Sequence, residues 1–229
     1  MSTPLSSIQW DWIKNNSEKM GALCLMGGEP LFDKKVIDLL SNISKNINLG
    51  LTTNGSLFTQ TNCDLLSKFK GLYITLSIDS VYENYNYIRY PFKFEKLELS
   101  LSRFLSLCKN IKNLEINVVV SSLNLLNMKN FLSWSERFHI DTHFSEVFPV
   151  KRGIGIRNLP ISILEKAYFD ICNVKGRNVY KLIDLLDKTI LKSKENKQKM
   201  LKEIELFDFS RNQNYENFLN PLLVRWLNE

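Results

Sequence analysis

The sequence is poor in the residues that build metal centres. It has two histidines and four cysteines in 229 residues. The cysteines, Cys24, Cys63, Cys108 and Cys172, are never closer than 39 positions, which excludes a local metal-ligand or redox motif. Free thiols fit a reducing compartment. Cys24, in the run ALCLM, and Cys108, among apolar helix positions, read as small buried hydrophobes. No run approaches the roughly 18 apolar residues of a membrane span. The opening MSTPLSSIQWDWIKNN has neither the charged n-region nor the apolar h-region of a signal peptide. A cytoplasmic location, with no membrane partner, is the default expectation.

What is present suits a packed domain. Hydrophobic residues make up 44% of the chain, enough for a real core in one domain or in one domain with a helical appendage. The net charge of +6 invites a nucleic-acid reading. Lysine outnumbers arginine 22 to 8, however, and asparagine reaches 24, the composition of an AT-rich genome rather than of a phosphate-binding surface. Between Lys175 and Lys202 nine basic residues stand against three acidic ones. Their helical spacing reads as a solvated helix face.

Strand-like and helix-like segments alternate. A helical lead-in, Ser6 to Lys19, carries Ile8, Trp12 and Ile13 on one face. The periodicity then predicts strands at Ala22 to Met26, Asn48 to Thr53, Leu72 to Ile78, Leu114 to Val120 and Thr142 to Val147. Between them it predicts helices at Asp33 to Ile47, Phe58 to Phe69, Glu95 to Lys109 and Asn127 to Phe138. Short apolar strands separated by helices of 10–15 residues indicate right-handed βαβ units and a parallel sheet. A sixth short strand is expected at Gly153 to Arg157, before Pro160 opens a helix. From there the chain reads as almost wholly helical. The run Leu182, Ile183, Leu185, Leu186, Ile190 and Leu191 reads as a docking face.

In parallel α/β architectures, sites form where strands end, and the informative residues fall there. The first strand runs into Gly27-Gly28-Glu29-Pro30. Its two glycines admit a ligand close to the main chain, Glu29 offers an anionic acceptor suited to an ammonium group, and Pro30 stiffens the exit. The second strand ends at Thr52-Thr53-Asn54-Gly55. The third ends at Ser77-Ile78-Asp79-Ser80, and Arg89 follows twelve residues after Ser77. Each piece also has a plainer reading: Asn54-Gly55 as a turn, Ser77 as a helix cap, Arg89 as a salt-bridge partner of Glu83 or Glu95.

Taken in order, GGEP, TNG and SIDS with its following arginine resemble the strand ends of the radical S-adenosylmethionine (radical SAM) superfamily, within it the SPASM/twitch branch. The segment Glu146-Val147-Phe148-Pro149 and the following GIGIRNLP look like the last barrel strand and exit of twitch relatives. The resemblance covers roughly residues 20 to 160. It implies an α/β fold, a partial parallel (β/α)6-type barrel missing its first strand over residues 1–159, with a helical C-terminal region over 160–229. It also implies that the backbone around Gly27, Gly28 and Glu29 holds the ammonium of S-adenosylmethionine, and that Ser77 and Arg89 contact its ribose or carboxylate. Asn54 would line the same cavity, Asp79 would be a polar wall or substrate contact, and Asn117 a further contributor. A peptide or small polar molecule is the implied substrate.

The departure is at the front. The family binds a 4Fe–4S cluster through CxxxCxxC in a loop well before GGEP. Here 26 residues precede Gly27 and hold one cysteine. Three thiolates are needed to leave one iron open for the cofactor, and the auxiliary cysteines of the SPASM type are absent too. The expectation is therefore a segment of an enzyme that would generate a 5′-deoxyadenosyl radical and abstract hydrogen, inactive as given. The alternative is a cluster-less pseudoenzyme acting as a binding or scaffold module. No metal site is expected. The exposed edge of the strand Ala22 to Met26 calls for a cover, from an upstream chain or a second copy. His139, Asp141 and His143 read as a polar strand edge rather than metal ligands, and Gly153-x-Gly155 lacks the third glycine of a dinucleotide loop.

Overall fold

The computed structural model describes residues 5–147 and 152–229. Five strands form one sheet in the order β1-β2-β3-β4-β5: β1 (Ala22–Leu25), β2 (Asn48–Thr53), β3 (Gly71–Ser77), β4 (Ile111–Val120) and β5 (Asp141–Glu146). Sequence order equals spatial order, as a run of βαβ crossovers requires. The β1–β2 and β2–β3 pairings are parallel. Ten α-helices accompany the strands among the described residues: α1 (Ser7–Asn16), α2 (Lys34–Asn42), α3 (Gln60–Leu66), α4 (Tyr82–Ile88), α5 (Phe94–Leu107), α6 (Met128–Arg137), α7 (Ile161–Cys172), α8 (Val179–Ile190), α9 (Lys197–Arg211) and α10 (Pro221–Asn228). None of them is long and apolar enough to cross a membrane.

The chain divides into two compact units, both discontinuous. One comprises residues 1–77 and 96–115; the other comprises 78–95 and 116–229. In the first, Leu49 and Leu51 of β2 and Leu72, Ile74 and Leu76 of β3 are buried. So are Leu39 and Leu40 of α2, Cys63 and Leu66 of α3, and Leu101 and Phe104 of α5. Phe104 stacks on Phe58 with ring centroids 4.1 Å apart. The alternate positions, Gly50 and Thr52 on β2 and Tyr73, Thr75 and Ser77 on β3, are half-buried or exposed. The second unit is built around aromatic residues. Phe94 packs edge-on to Tyr85 and Trp134, each 5.5 Å from it. Leu182 and Leu186 of α8 are fully buried and α8 packs on α7 and β5, as its docking face predicts, but Leu191 at the end of that run is 89% exposed.

Several expectations need correction. The helix predicted to reach Ile47 stops at Asn42. Ile43 is extended (φ −89°, ψ 165°), and the Lys45 ammonium caps the carbonyls of Leu40 at 2.6 Å and Ile43 at 2.8 Å. Ile43 and Ile47 are still buried, so apolar spacing carried past the helix end into a packed loop. No sixth strand forms at Gly153 to Arg157. That stretch is a turn leading to a short 3-10 helix, Ile156–Asn158, pinned by the Asn158 amide on the carbonyls of Arg152 (2.8 Å) and Gly153 (2.9 Å). Ile8 and Trp12 are largely exposed at 78% and 59%, so that face of α1 covers no core here. Helix α4 was not foreseen, because YENYNYI mixes aromatic and asparagine residues of low helix propensity. Phe148 and Pro149 lie outside the described residues.

Cys24 is exposed rather than buried, as is Cys172, whereas Cys63 and Cys108 are buried. β1 alternates exposed and half-buried positions at the sheet edge, so an apolar strand sequence does not there imply burial. Burial raises both buried thiols above their usual range, Cys108 to about 12. Because the thiolate is the reacting species, a native-state titration with 5,5′-dithiobis(2-nitrobenzoate) should consume two thiols rapidly, Cys24 and Cys172. The other two should react only after denaturation; four fast thiols would refute this packing.

Candidate functional site

In the first unit the register places Leu25 opposite Leu51 and Thr53 opposite Leu76. The carboxyl ends of β1, β2 and β3 therefore lie side by side, and Gly27, Asn54 and Ser77 follow one edge, as expected. Gly27 and Gly28 adopt φ of +95° and +57°. A Cβ at either would meet nothing within 4 Å. The demand for glycine is thus conformational, and it leaves the main chain bare. A cleft of about 460 Å³ opens on this loop, with Leu5, Trp10, Met26 and Lys35 among its walls.

Glu29 plays a different part from the one its charge suggests. Its carboxylate accepts hydrogen bonds from the Thr53 hydroxyl at 2.8 and 2.9 Å, from the Asn54 N–H at 2.8 Å and from the Leu31 N–H at 3.3 Å. It fastens the loop after β1 to the end of β2. The groups left for a ligand are those of the glycine backbone. Asn54 uses its Oδ1 to accept the Ser56 N–H at 2.9 Å, an Asx turn.

In the second unit Arg89 pairs with Asp79 at 2.5 Å, and with neither Glu83 nor Glu95. The other Asp79 oxygen accepts the Val119 N–H at 2.8 Å. Arg89 Nε is buried without a partner among the described residues, an unmet donor that a bound acceptor would satisfy. Asn117 is exposed on β4, and its carbonyl accepts the Ile78 N–H at 3.2 Å. Ser77, at the end of β3, is half-buried and caps no helix.

Sequence reasoning missed the buried asparagines that shape the loop after β3. Asn124 is fully buried. Its amide donates to the carbonyls of Asp79 (2.7 Å) and Val119 (2.8 Å) and accepts the Ser121 N–H at 2.8 Å. Asn84 accepts from the Ser80 hydroxyl at 2.6 Å and donates to the Leu123 carbonyl at 2.9 Å. The signal was the spacing of polar residues in SSLNLLN, where apolar periodicity cannot account for Asn124. His139 lies before β5 with φ +52°, and Asp141 pairs with Lys181. The three residues therefore do not line one strand face.

Both anchors are open to test. Glu29→Gln keeps the shape but loses charge-assisted bonds worth about 1.5–3 kcal/mol each. Urea unfolding should register a loss of about 2 kcal/mol. Asn124→Leu strands three buried backbone groups and should lose at least about 3 kcal/mol. Wild-type midpoints in both variants would remove these roles.

No protein-family model matches the chain. It is similar to the GTP 3′,8-cyclase of Desulforamulus reducens, 31% identical over 132 residues. That match covers 55% of this chain and 39% of the cyclase, so the chain spans well under half of that relative's length. Among solved structures, SuiB of Streptococcus suis bound to the precursor peptide SuiA gives a TM-score of 0.52 at 15% identity, over 80% of this chain and 45% of SuiB. Native anSMEcpe with bound AdoMet gives 0.51 at 19% identity, over 79% of this chain and 52% of that one. The α/β fold with its parallel sheet is shared with both, and it agrees with the expected partial barrel.

Proposed function

We propose that this chain is the S-adenosylmethionine-binding body of a radical SAM protein of the SPASM/twitch branch, working on a peptide or small polar substrate. The observation that carries the reading is the loop Gly27-Gly28-Glu29. Its two left-handed glycines present bare backbone beside a cleft, and Glu29 locks the loop in place instead of filling it. In this reading the loop carbonyls take the cofactor's ammonium and Asn54 and Ser77 supply polar contacts beside them, while Asp79, Arg89 and Asn117 are polar ligand contacts of the second unit.

The cysteines do not suit a 4Fe–4S cluster. Cys63 and Cys108 are buried together, with the Cys108 thiol 3.6 Å from the Cys63 carbonyl oxygen. Cys24 and Cys172 are exposed. Among the described residues no three His, Cys, Asp or Glu side chains converge as a metal site. In this reading the ligands of a cluster are supplied by another segment or chain, and these residues alone do not cleave the cofactor. The same observation supports the second reading, a cluster-less binding or scaffold module. An in-frame or frameshifted CxxxCxxC in the DNA immediately upstream would favour the enzyme over the scaffold.

Without iron to chelate its amino and carboxylate groups, S-adenosylmethionine should bind with submillimolar to millimolar affinity, about −4 to −5 kcal/mol. Gly28→Val, which forces a β-branched residue to positive φ, should abolish the calorimetric signal. Absence of any heat with the wild type would sink the cofactor reading. Anaerobic reconstitution with iron and sulfide should give no cluster absorption and no 5′-deoxyadenosine. Cluster formation on the polypeptide alone would overturn the inactivity.

The edge of β1 bears on partners as well. Among the described residues no strand lies beyond its outer N–H and C=O groups, and Met26 just past it is 78% exposed. We propose that an upstream segment or a second copy covers this edge. Size-exclusion chromatography with light scattering should therefore find the isolated chain oligomeric. A monodisperse, thermally stable monomer would refute coverage by a second copy or a separate chain.

A further inference from the structure

The second unit holds a cavity of about 470 Å³ whose charged lining is Asp79, Arg89, Glu146, Arg152 and Arg211. Three guanidinium groups on one cavity are unusual unless each has a partner, so their partners decide what the cavity is for. Arg89 is matched by Asp79 at 2.5 Å. Glu146 is matched by Arg157 at 2.8 Å and by the Thr189 hydroxyl. Arg152 is matched by Glu203, through Nε at 2.8 Å and through Nη2.

Arg211 differs. Its Nη1 donates to the Tyr87 carbonyl at 2.7 Å, and its guanidinium lies 4.7 Å from the Phe207 ring. No carboxylate among the described residues pairs with it. Asp208, one turn earlier on α9, already accepts the Tyr87 hydroxyl at 2.8 Å and the Tyr215 N–H at 2.7 Å. A guanidinium has five N–H donors, so Arg211 keeps donors free beside the cavity. Arg89 Nε is a further donor left unmet. The rest of the lining joins Ile88, Leu123, Ile154 and Phe207 to the hydroxyl residues Ser121 and Ser145. The cavity thus combines one uncompensated cation with a largely apolar wall. That combination fits an oxyanion carried on an apolar body, and it repels an ammonium group.

We propose that this cavity binds a peptide carboxylate, an acidic side chain or a free C-terminus, with Arg211 as the specificity-determining cation and Arg152 as its neighbour. Assigning that peptide as the substrate rests on the function proposed above; binding of the carboxylate does not.

The test uses the full chain and two rhodamine-labelled tripeptides that differ by one carboxylate, Gly-Leu-Glu-amide and Gly-Leu-Gln-amide, followed by fluorescence anisotropy. The acid should bind at least about tenfold more tightly than the amide, the effect of one charge-assisted hydrogen bond. Arg211→Gln should erase that preference. Arg211→Lys should restore only part of it, because an ammonium lacks the planar fork. Arg211 also holds the Tyr87 carbonyl, so a second variant avoids touching it. Val119 lines the cavity and is 40% exposed, and Val119→Glu should exclude the acid by like-charge repulsion.

Equal binding of acid and amide, binding of neither, or an unchanged preference in both Arg211→Gln and Val119→Glu overturns the proposal. Displacement of the acid by S-adenosylmethionine would assign the carboxylate site to the cofactor, and displacement by inorganic phosphate at lower concentration would assign it to a phosphorylated ligand. Either outcome also overturns it. Discrimination between acid and amide in a protein that shows no heat with S-adenosylmethionine would leave the carboxylate site standing and remove the cofactor reading alone.

Discussion

Strands β2 and β3 and the carboxyl-terminal half of β4 have one covered side and one open side, and the chemistry follows from that. Parallel sheets are ordinarily buried on both faces and read as continuous apolar runs. Here β2 alternates half-buried and buried residues without a break, and the carboxyl-terminal half of β4 alternates exposed and buried ones. Leu49, Leu51, Ile116 and Val118 carry the core. Asn48, Thr52, Glu115 and Asn117 face away from it. The sheet therefore supplies a surface of fixed polar groups as well as a scaffold. Thr75 and Glu115, joined at 2.8 Å across neighbouring strands, show that even this open face is internally bonded.

The two carboxylates that follow strands use one device. Glu29 and Asp79 each accept a main-chain N–H from an adjacent strand or its end, Asn54 for the first and Val119 for the second. Each also takes a side-chain donor, the Thr53 hydroxyl or the Arg89 guanidinium. A carboxylate satisfied in this way is an architectural anchor. Its negative charge is already answered, which leaves backbone groups and unpaired donors to meet a ligand.

The sheet was legible in the sequence because its strands are short apolar runs bounded by glycine and asparagine, and β2 was placed residue for residue. The glycine loop and the order of the strand ends were legible for the same reason. What the sequence concealed was partnership. Arg89 has four acidic residues within ten positions, and only three-dimensional packing selects Asp79. Cys24 looked buried because its neighbours are apolar, whereas edge position overrides composition. Arg211 lies far along the chain from Tyr87, in a helix whose sequence reads as surface, and no local pattern ties the two together.

The two units are woven from four stretches of chain. Residues 78–95 leave the first unit for the second, and 96–115 return before the remainder departs again. No single cut yields either unit as a continuous fragment. During synthesis the first cannot be completed until residue 115 has emerged, and by then the chain has already committed eighteen residues to a unit whose other part is not yet made. The segment that carries Asp79 and Arg89 belongs by contact to the unit that also needs residues 116–229.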